Sequence, residues 1–369
     1  MAWGGKANQN LMNVIRKVHN LVEAEDIDKH RQSQNNLGAV LGNRKDTLVR
    51  EVGIDGMYGE WVSVDRAHMK KYVILYCHGG GYMTGSSLYA RTLTTKLAAS
   101  TSMDVLCFDY RLAPENPYPA AVEDAMRAWN YLMLLGYGAR DVIVAGDSAG
   151  GNLALSLSLK LKEEGRLLPR GLVLMSPWTD LSSGGRSHET RAALDPVLDK
   201  KYLQKAIRAY VGEGLEAAEA GKAEKGRETK EAGNAEIGGE DKGTGKAEKG
   251  KEAKGTGKAE KGKEAGEAEK GKEAGTAGET AKYAENLTDP LISPLFGDFA
   301  GFPPTYIQVG DNEVLLDDAT RLHKNMIKAN VSVKLDVFDG MWHVFQMSPF
   351  KTAYEAMDKN AEFIYDICR

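Results

Sequence analysis

One short segment, residues 142–150, constrains the fold of this chain more than any other. It opens with Val-Ile-Val-Ala, an apolar and mostly β-branched run that predicts a buried strand. Gly146-Asp-Ser-Ala-Gly150 follows without a spacer, and a long apolar stretch rich in Leu and Ser comes next. This order predicts a strand, a very tight turn with Ser148 at its tip, and a helix. We expect Gly146 and Gly150 where the strand and helix backbones cross, because a Cβ there would clash.

The motif formed by Gly146, Asp147, Ser148, Ala149 and Gly150 permits two interpretations. A Gly-x-Ser-x-Gly turn between a buried strand and a helix is typical of a nucleophile elbow, in which the serine hydroxyl attacks the substrate. A glycine-rich turn whose serine only caps the following helix would have the same local pattern. A nucleophilic serine also needs a general base, an acid that orients the base, and donors for an oxyanion. The rest of the chain therefore decides between the two.

Strands and helices alternate along most of the chain. Apolar runs predict strands at residues 73–77, 104–108, 142–145, 171–175, 305–309 and 331–338, with helices at 88–99, 122–135, 315–329 and 353–367. Short segments broken by glycines between residues 48 and 65 predict two antiparallel edge strands. This alternation predicts an α/β fold, with a mostly parallel central sheet covered by helices on both faces.

The predicted organisation has four parts. Residues 1–46 form an N-terminal helical cap segment, and residues 47–212 form the first part of the α/β core, with a cap insertion near 185–212. Residues 213–282 form a low-complexity insert, and residues 283–369 complete the core.

The insert at 213–282 is nearly repetitive, since Gly-Lys-Ala-Glu-Lys-Gly begins at positions 221, 245 and 257. Its only large apolar residues are Leu215 and Ile237, so it has no face to bury against a core. We expect a disordered surface insert that the fold tolerates, because loop-closure entropy grows slowly with length. A tethering or partner-binding segment is the alternative.

Composition and charge exclude several classes of protein. The formal net charge of −4 is too small to imply nucleic acid or an anionic membrane as partner. No apolar run reaches the length of a transmembrane helix, and the N-terminal residues lack the apolar core of a signal peptide. Three cysteines favour a reducing cytoplasm over a disulfide framework. No Cys/His spacing resembles a zinc site, so neither a metal nor a cofactor is expected.

His343 is the candidate general base. It lies in the loop after the last predicted strand, and the candidate serine and acids lie after earlier strands. Loops that follow parallel strands meet at one edge of the sheet, where open α/β sheets place their sites. The order Ser148, acid, His343 is also the order found in hydrolases of this architecture.

The candidate acids follow the strand at 305–309. Asp311 and Glu313 lie in the loop itself, and spacing alone does not separate them. Asp317 and Asp318 fall in the first turn of the next helix, where a carboxylate is stabilised by the helix dipole. That provides a structural reason for the two aspartates without a catalytic role.

His78-Gly79-Gly80-Gly81, directly after the strand at 73–77, is the candidate oxyanion loop. Glycines allow backbone N–H groups to converge on one point, and such a motif acts together with the N–H of the residue after the serine, here Ala149. A phosphate-binding loop is the alternative. It is disfavoured because no Gly-Lys-Ser/Thr follows and the motif does not open a helix.

Taken together, these motifs resemble the hormone-sensitive-lipase-like branch of the α/β-hydrolases. The residues that carry the resemblance are His78-Gly-Gly-Gly-Tyr82, Asp109-Tyr-Arg-Leu-Ala-Pro-Glu115, Pro119-Ala-Ala-Val-Glu-Asp124, Gly146-Asp-Ser-Ala-Gly-Gly151, Ser176-Pro-Trp-Thr-Asp-Leu181 and His343. The resemblance implies hydrolysis of carboxylic esters through an acyl-enzyme at Ser148, with Gly80, Gly81 and Ala149 donating to the oxyanion. It also implies a small helical cap. Residues 74–180 are most similar to acetyl esterases and monoterpene ε-lactone hydrolases.

The resemblance also bears on the acid. The family commonly has Asp-Pro-Leu-x-Asp, with the first Asp in the triad, and the matching residues here are Glu313-Val-Leu-Leu-Asp317. It therefore implies Glu313 as the acid, with Asp317 as the second choice. In the family, the prolines that correspond to Pro114 and Pro119 are associated with cis peptide bonds.

The predicted function is a serine hydrolase that cleaves esters of short acyl chains or small lactones through a Ser-His-Glu triad. The expected partner is a small-molecule ester or lactone. The alternative is a non-catalytic ligand-binding protein on a hydrolase scaffold, and the presence of His343 argues against it. Large side chains that are candidates for the substrate pocket, or for ordinary core packing, are Tyr82, Trp178, Met341 and Trp342.

Overall fold

A central sheet organises the part of the chain that the computed structural model describes, namely Arg16 and residues 26–68, 70–212 and 287–369. Its strands are β1 (Thr47–Ile54), β2 (Met57–Val64), β3 (Val73–Cys77), β4 (Asp104–Phe108), β5 (Val142–Asp147), β6 (Gly171–Met175), β7 (Thr305–Gly310) and β8 (Val333–Phe338). In space they lie in the order β1-β2-β4-β3-β5-β6-β7-β8. The predicted insert at 213–282 lies outside the described residues, as does most of the chain before residue 26.

Strand directions confirm the predicted mostly parallel α/β-hydrolase sheet. β1 and β2 form an antiparallel hairpin, β2 pairs antiparallel with β4, and every other neighbouring pair is parallel. Strands β3 to β7 are buried along their whole length because helices cover both faces. The prediction of two edge strands at 48–65 is correct only for β1, since β2 lies between β1 and β4.

The helices cover both faces of this sheet. They are α1 (Ile27–Leu41), α2 (Ser87–Thr101), α3 (Ala120–Leu134), α4 (Ala149–Glu163), the single turn α5 (Ser187–Thr190), α6 (Lys200–Val211), α7 (Leu316–Lys328) and α8 (Lys351–Cys368). Apolar residues of α2 and α8 pack together on one face, and those of α3, α4, α6 and α7 form the larger core on the other. Among the described residues, no helix combines the length and the hydropathy needed to cross a bilayer.

Helix α7 and strand β8 differ slightly from the sequence prediction. β8 begins at Val333, two residues later than the predicted start at residue 331. Asn330 has a φ of 59°, and the N–H of Val331 donates to the carbonyl of Met326 at 3.0 Å. Val331 therefore closes the end of α7 instead of joining the sheet. The peptide bonds before Pro114 and Pro119 are cis, as the family resemblance implies.

Candidate active site

Ser148 lies at the sharp turn between β5 and α4, at the carboxyl edge of the sheet. Its φ of 52° and ψ of −121° are unusual for a residue other than glycine. A Cβ on Gly146 would lie 2.3 Å from the carbonyl oxygen of Gly150, and a Cβ on Gly150 would lie 2.0 Å from that of Cys77. Neither position has room for a side chain, so strand and helix cross closely enough to hold the serine in this conformation.

His343 lies between Ser148 and Glu313. Its Nε2 is 2.9 Å from Oγ of Ser148, and its Nδ1 is 3.3 Å from Oε2 of Glu313. All three side chains are buried. A carboxylate at Nδ1 favours the tautomer with the proton on Nδ1, which leaves the Nε2 lone pair facing the serine hydroxyl. The arrangement has the geometry of a nucleophile, a base and an orienting acid.

Burial governs the protonation of this pair. Desolvation lowers the pKa of His343, and the negative charges of Asp195 and Asp147 oppose the shift. Burial raises the pKa of Glu313, and hydrogen bonds from Ser176 and from the backbone of Gly310 oppose that shift. The imidazole is therefore neutral near pH 7 and able to accept a proton.

The other two candidate acids do not contact His343. Asp311 accepts a hydrogen bond from the N–H of Gly340 at 2.7 Å. Asp317 accepts one from the N–H of Ser187 at 3.1 Å. The loop after β7 thus directs these two carboxylates to backbone groups and directs Glu313 to the imidazole.

Gly80 and Gly81 line the same cavity as Ser148. Their φ values are 117° and 62°, in the region that favours glycine. A Cβ on Gly80 would lie 2.2 Å from the carbonyl oxygen of Thr84. Ala149 is the first residue of α4, where backbone N–H groups have no partner within the helix.

Two buried side chains, those of Asp147 and His78, hold the candidate oxyanion loop against the sheet. Oδ1 of Asp147 accepts hydrogen bonds from the hydroxyl of Tyr76 at 2.6 Å and from the N–H of Gly79 at 3.0 Å. Burial raises the pKa of Asp147 to about 6. The ring of His78 stacks on Tyr110 with a centroid separation of 4.1 Å, and its Nδ1 lies 2.8 Å from the carbonyl oxygen of Gly79. These contacts join the turn at Ser148 to the glycine loop.

A cavity of about 370 Å³ opens above Ser148 and His343. Its walls come from α1, from the segment before α6 and α6 itself, and from the chain that follows β8. The wall residues from these elements, besides His343, are Gln34, Leu37, Leu41, Val197, Leu198, Tyr202, Trp342, Val344, Met347, Ser348, Pro349 and Phe350. The surface is mostly apolar, which suits the hydrocarbon part of a small ligand.

Of the four large side chains that the sequence indicates for a pocket, Trp342 lines this cavity. Tyr82 instead stacks on Tyr210 at 3.7 Å, and its hydroxyl donates to Oδ1 of Asn152 at 2.7 Å. Trp178 and Met341 are fully buried in the core. These three side chains therefore pack in the core, which is the alternative that the sequence analysis gives for each of them.

A larger open groove of about 1160 Å³ lies at the opposite edge of the sheet, near the start of β3 and β4. Trp61, His68 and Asp104 are among its lining residues, and Asp104 is paired with His68 and Lys70. The groove contains none of the residues predicted for catalysis. The smaller cavity above Ser148 is therefore the candidate active site.

Two polar residues at the site have no role in the sequence-based prediction. Ser176 follows β6, and its Oγ donates to Oε1 of Glu313 at 2.7 Å. Asp195, buried in the segment before α6, accepts from the N–H of Val314 at 3.1 Å. Ser176 belongs to a motif that carries the family resemblance, and that is the signal that could have drawn attention to it. Asp195 follows an irregular segment whose path the sequence does not determine.

Comparisons with known proteins agree with this fold. Residues 74–225 and 254–347 match the family model described as the alpha/beta hydrolase fold. An esterase of Acinetobacter venetianus is 31% identical over 317 residues, which are 85% of this chain and 81% of that protein. An acetyl-hydrolase of Streptomyces hygroscopicus is 30% identical over 318 residues, 86% of this chain and 80% of that protein.

Solved structures of hydrolases are also similar to this chain in fold. The chain is similar to an esterase from the bacterial hormone-sensitive lipase family, with a TM-score of 0.73 and 27% identity, covering 99% of this chain and 98% of that one. It is similar to a hormone-sensitive lipase from a metagenome library, with a TM-score of 0.74 and 28% identity, covering 98% and 99%.

The eight-stranded sheet found in the described residues and the matching family model show that the chain belongs to the α/β-hydrolase fold family. Within that family it belongs to the hormone-sensitive-lipase-like branch, and it is a carboxylic ester hydrolase.

Proposed function

We propose that this chain is a serine esterase that cleaves esters of short acyl chains or small lactones, using Ser148 as nucleophile, His343 as base and Glu313 as orienting acid. The observation that supports this best is the 2.9 Å contact between Ser148 Oγ and His343 Nε2 at the floor of an apolar cavity.

Acylation begins when Ser148 Oγ bonds to the ester carbonyl carbon and His343 Nε2 takes the hydroxyl proton. The carbonyl oxygen becomes an oxyanion, for which Gly80, Gly81 and Ala149 offer backbone N–H donors. Glu313 stays ionised and stabilises the imidazolium through Nδ1–H. Collapse of the intermediate breaks the bond to the alcohol oxygen, which takes the proton from His343 and leaves an acyl-enzyme.

Deacylation repeats these steps with water. His343 removes a proton from the water as its oxygen attacks the acyl carbon, and then returns a proton to Ser148 Oγ. The products are a carboxylic acid and a restored enzyme. With a lactone the alcohol stays tethered to the acyl group, so the product is a hydroxy acid.

The cavity supports a small substrate. Its volume of about 370 Å³ is at the low end of the range for small-molecule sites. Leu37 of α1 and Trp342 and Phe350 from the chain after β8 are among its walls, so we expect a long acyl chain to extend out through the mouth. We infer that α1 and the segment 185–212 together form the cap, because both supply walls of this cavity.

The test is a hydrolysis panel of p-nitrophenyl esters from acetate to decanoate, together with ε-caprolactone. We expect turnover that is highest with the short esters, and covalent labelling by a fluorescent organophosphonate. Ser148→Ala should abolish both. Ser158→Ala is the matched control, because Ser158 is buried in α4 and its hydroxyl donates to the carbonyl of Ala154 at 2.9 Å.

If neither turnover nor labelling is seen with the wild-type chain, the esterase proposal is wrong. Binding of these compounds without turnover would instead favour a ligand-binding protein on a hydrolase scaffold. Ligand-induced change in tryptophan fluorescence can report that binding, since Trp342 lines the cavity.

A further inference from the structure

Ser176 is a buried residue of a signature motif, Ser176-Pro-Trp-Thr-Asp-Leu181, to which the proposed mechanism gives no task. It is the first residue after β6, at the carboxyl edge of the sheet, and its side chain is fully buried. β6 lies between β5, which leads to Ser148, and β7, which leads to Glu313. Ser176 is therefore placed between the nucleophile strand and the acid strand.

The hydroxyl of Ser176 makes two hydrogen bonds to opposite sides of the site. Oγ donates to Oε1 of Glu313 at 2.7 Å, and the same oxygen accepts the N–H of Val344 at 3.1 Å. A serine hydroxyl has one proton to donate and lone pairs to accept with, so both bonds form together. One atom thus connects the acid to the residue that directly follows His343.

The hydroxyl of Ser176 shares Oε1 of Glu313 with one backbone donor. Oε1 of Glu313 also accepts the N–H of Gly310 at 2.6 Å. Oε1 therefore accepts two hydrogen bonds, and Oε2 is the oxygen that faces Nδ1 of His343, at 3.3 Å. Loss of the hydroxyl would leave the carboxylate with a single anchor.

The backbone of Ser176 supports a role for the hydroxyl. Its φ is 50°, in the left-handed region that glycine adopts more easily than serine. Its N–H donates to the carbonyl of Gln308 at 2.7 Å, a bond that glycine would also make. What serine adds at this strained position is the hydroxyl, and strain at such a position is a sign of function.

We propose that Ser176 is a positioning residue that sets the orientation of Glu313 and of the loop carrying His343. This rests on the proposed function, since it assumes that these two residues act on Ser148. Ser176 is not among the residues lining the cavity, so it acts on the acid and the base and not on the substrate.

The test uses Ser176→Ala and Ser176→Gly on the full chain. We expect kcat to fall roughly 10- to 100-fold in both, the range of a lost hydrogen bond to a charged group. KM for p-nitrophenyl butyrate should change little. Ser176→Gly relieves the backbone strain, which offsets part of the cost of the two lost hydrogen bonds, so it should still fold and yet lose activity.

A pH profile separates positioning from a merely structural role. A hydrogen bond to a carboxylate stabilises its charged form, so removing the hydroxyl strengthens proton binding by the Glu313–His343 pair. The acid limb of kcat/KM should move to higher pH in both variants. The other carboxylates that bear on the pair, Asp147, Asp195, Asp311 and Asp318, are unchanged in these variants.

Ser158→Ala provides the control, and its kcat and acid limb should match wild type. The proposal is overturned if Ser176→Gly folds and keeps kcat within twofold, or if its acid limb stays in place. Ser148→Ala is measured beside it. Activity that survives Ser148→Ala would refute the proposed function itself, whereas an unaffected Ser176→Gly with an inactive Ser148→Ala would refute only the role of Ser176.

Discussion

Asp195 accepts the backbone N–H of Val314 at 3.1 Å, one residue beyond Glu313. Its other oxygen accepts the N–H of Val197 at 3.0 Å and that of Leu198 at 3.2 Å, and both of these residues line the cavity. One buried carboxylate therefore connects the loop after β7, which carries Glu313, to a wall of the cavity. Burial raises its pKa to about 6, while the charge of His343 opposes that rise.

Asp195→Asn should move the acid limb of the pH profile. The wild-type limb is expected below pH 6.5, because burial lowers the pKa of His343 from that value. Asp195 stabilises the imidazolium and so raises this pKa. Removing its charge lowers the pKa further, and the limb should shift to lower pH, opposite to the shift expected for the Ser176 variants.

The measurement is kcat/KM for p-nitrophenyl butyrate between pH 4.5 and 9. Asp298→Asn is the control, since Asp298 is exposed and pairs with Lys162. An unchanged limb in Asp195→Asn, or one displaced to higher pH, would contradict the charge effect.

Glu313→Gln tests the identity of the acid. The amide keeps the shape of the side chain but removes the charge that stabilises the imidazolium. We expect kcat to fall by about a thousand- to ten-thousand-fold, as for neutral replacements of a triad acid. Burst and steady-state release of p-nitrophenol would measure the loss.

Asp317→Asn is the matched replacement of the second choice. Its carboxylate accepts the N–H of Ser187 and does not touch His343, so kcat should remain within roughly tenfold of wild type. A larger loss in Asp317→Asn than in Glu313→Gln would reassign the acid.

Arg31→Ala should loosen the wall formed by α1. The guanidinium donates to the carbonyls of Met83 at 2.8 Å and Ala113 at 3.0 Å, and to Glu115 at 2.8 Å. These bonds hold α1 against the loop that follows Gly81 and against the segment between β4 and α3. Without them, KM for p-nitrophenyl butyrate should rise roughly three- to tenfold, equivalent to about 0.6–1.4 kcal/mol of binding. kcat should change little.

Arg44→Ala controls for the loss of an ion pair. Its pair with Asp46 at 2.7 Å is about as exposed as that of Arg31 with Glu115, and neither Arg44 nor Asp46 lines the cavity. Equal changes of KM in the two variants would mean that α1 is not held in place by Arg31.

Gly150→Ala should destabilise the fold at the nucleophile turn. The new Cβ would lie 2.0 Å from the carbonyl oxygen of Cys77, and backbone on both sides would have to shift. We expect the free energy of unfolding to fall by at least about 2–3 kcal/mol, measured by urea titration. Gly53→Ala, where no heavy atom lies within 4 Å, should change it by about 0.5 kcal/mol or less. Similar stabilities for the two variants would refute the close crossing.

Much of the fold is encoded in local patterns. Fully apolar runs such as residues 73–77 and 171–175 predict buried parallel strands, and these are β3 and β6. The helix predicted at residues 122–135 is α3 (Ala120–Leu134), because its apolar residues recur at helical spacing. The predicted start of β8 at residue 331 was wrong by two residues, since the turn at Asn330 depends on a single positive φ.

The sequence by itself determined the serine turn, the histidine and their order, because a tight strand–turn–helix needs glycines at fixed spacing. It left Asp311 and Glu313 equivalent by spacing, and only the family resemblance favoured the glutamate. Tertiary structure decided which carboxylate meets His343, because that depends on how the loops after β6, β7 and β8 converge. The contacts of Ser176, 137 residues from Glu313 along the chain, have the same origin. The direction of a side chain where these loops converge depends on tertiary packing, and a local sequence pattern does not encode that packing.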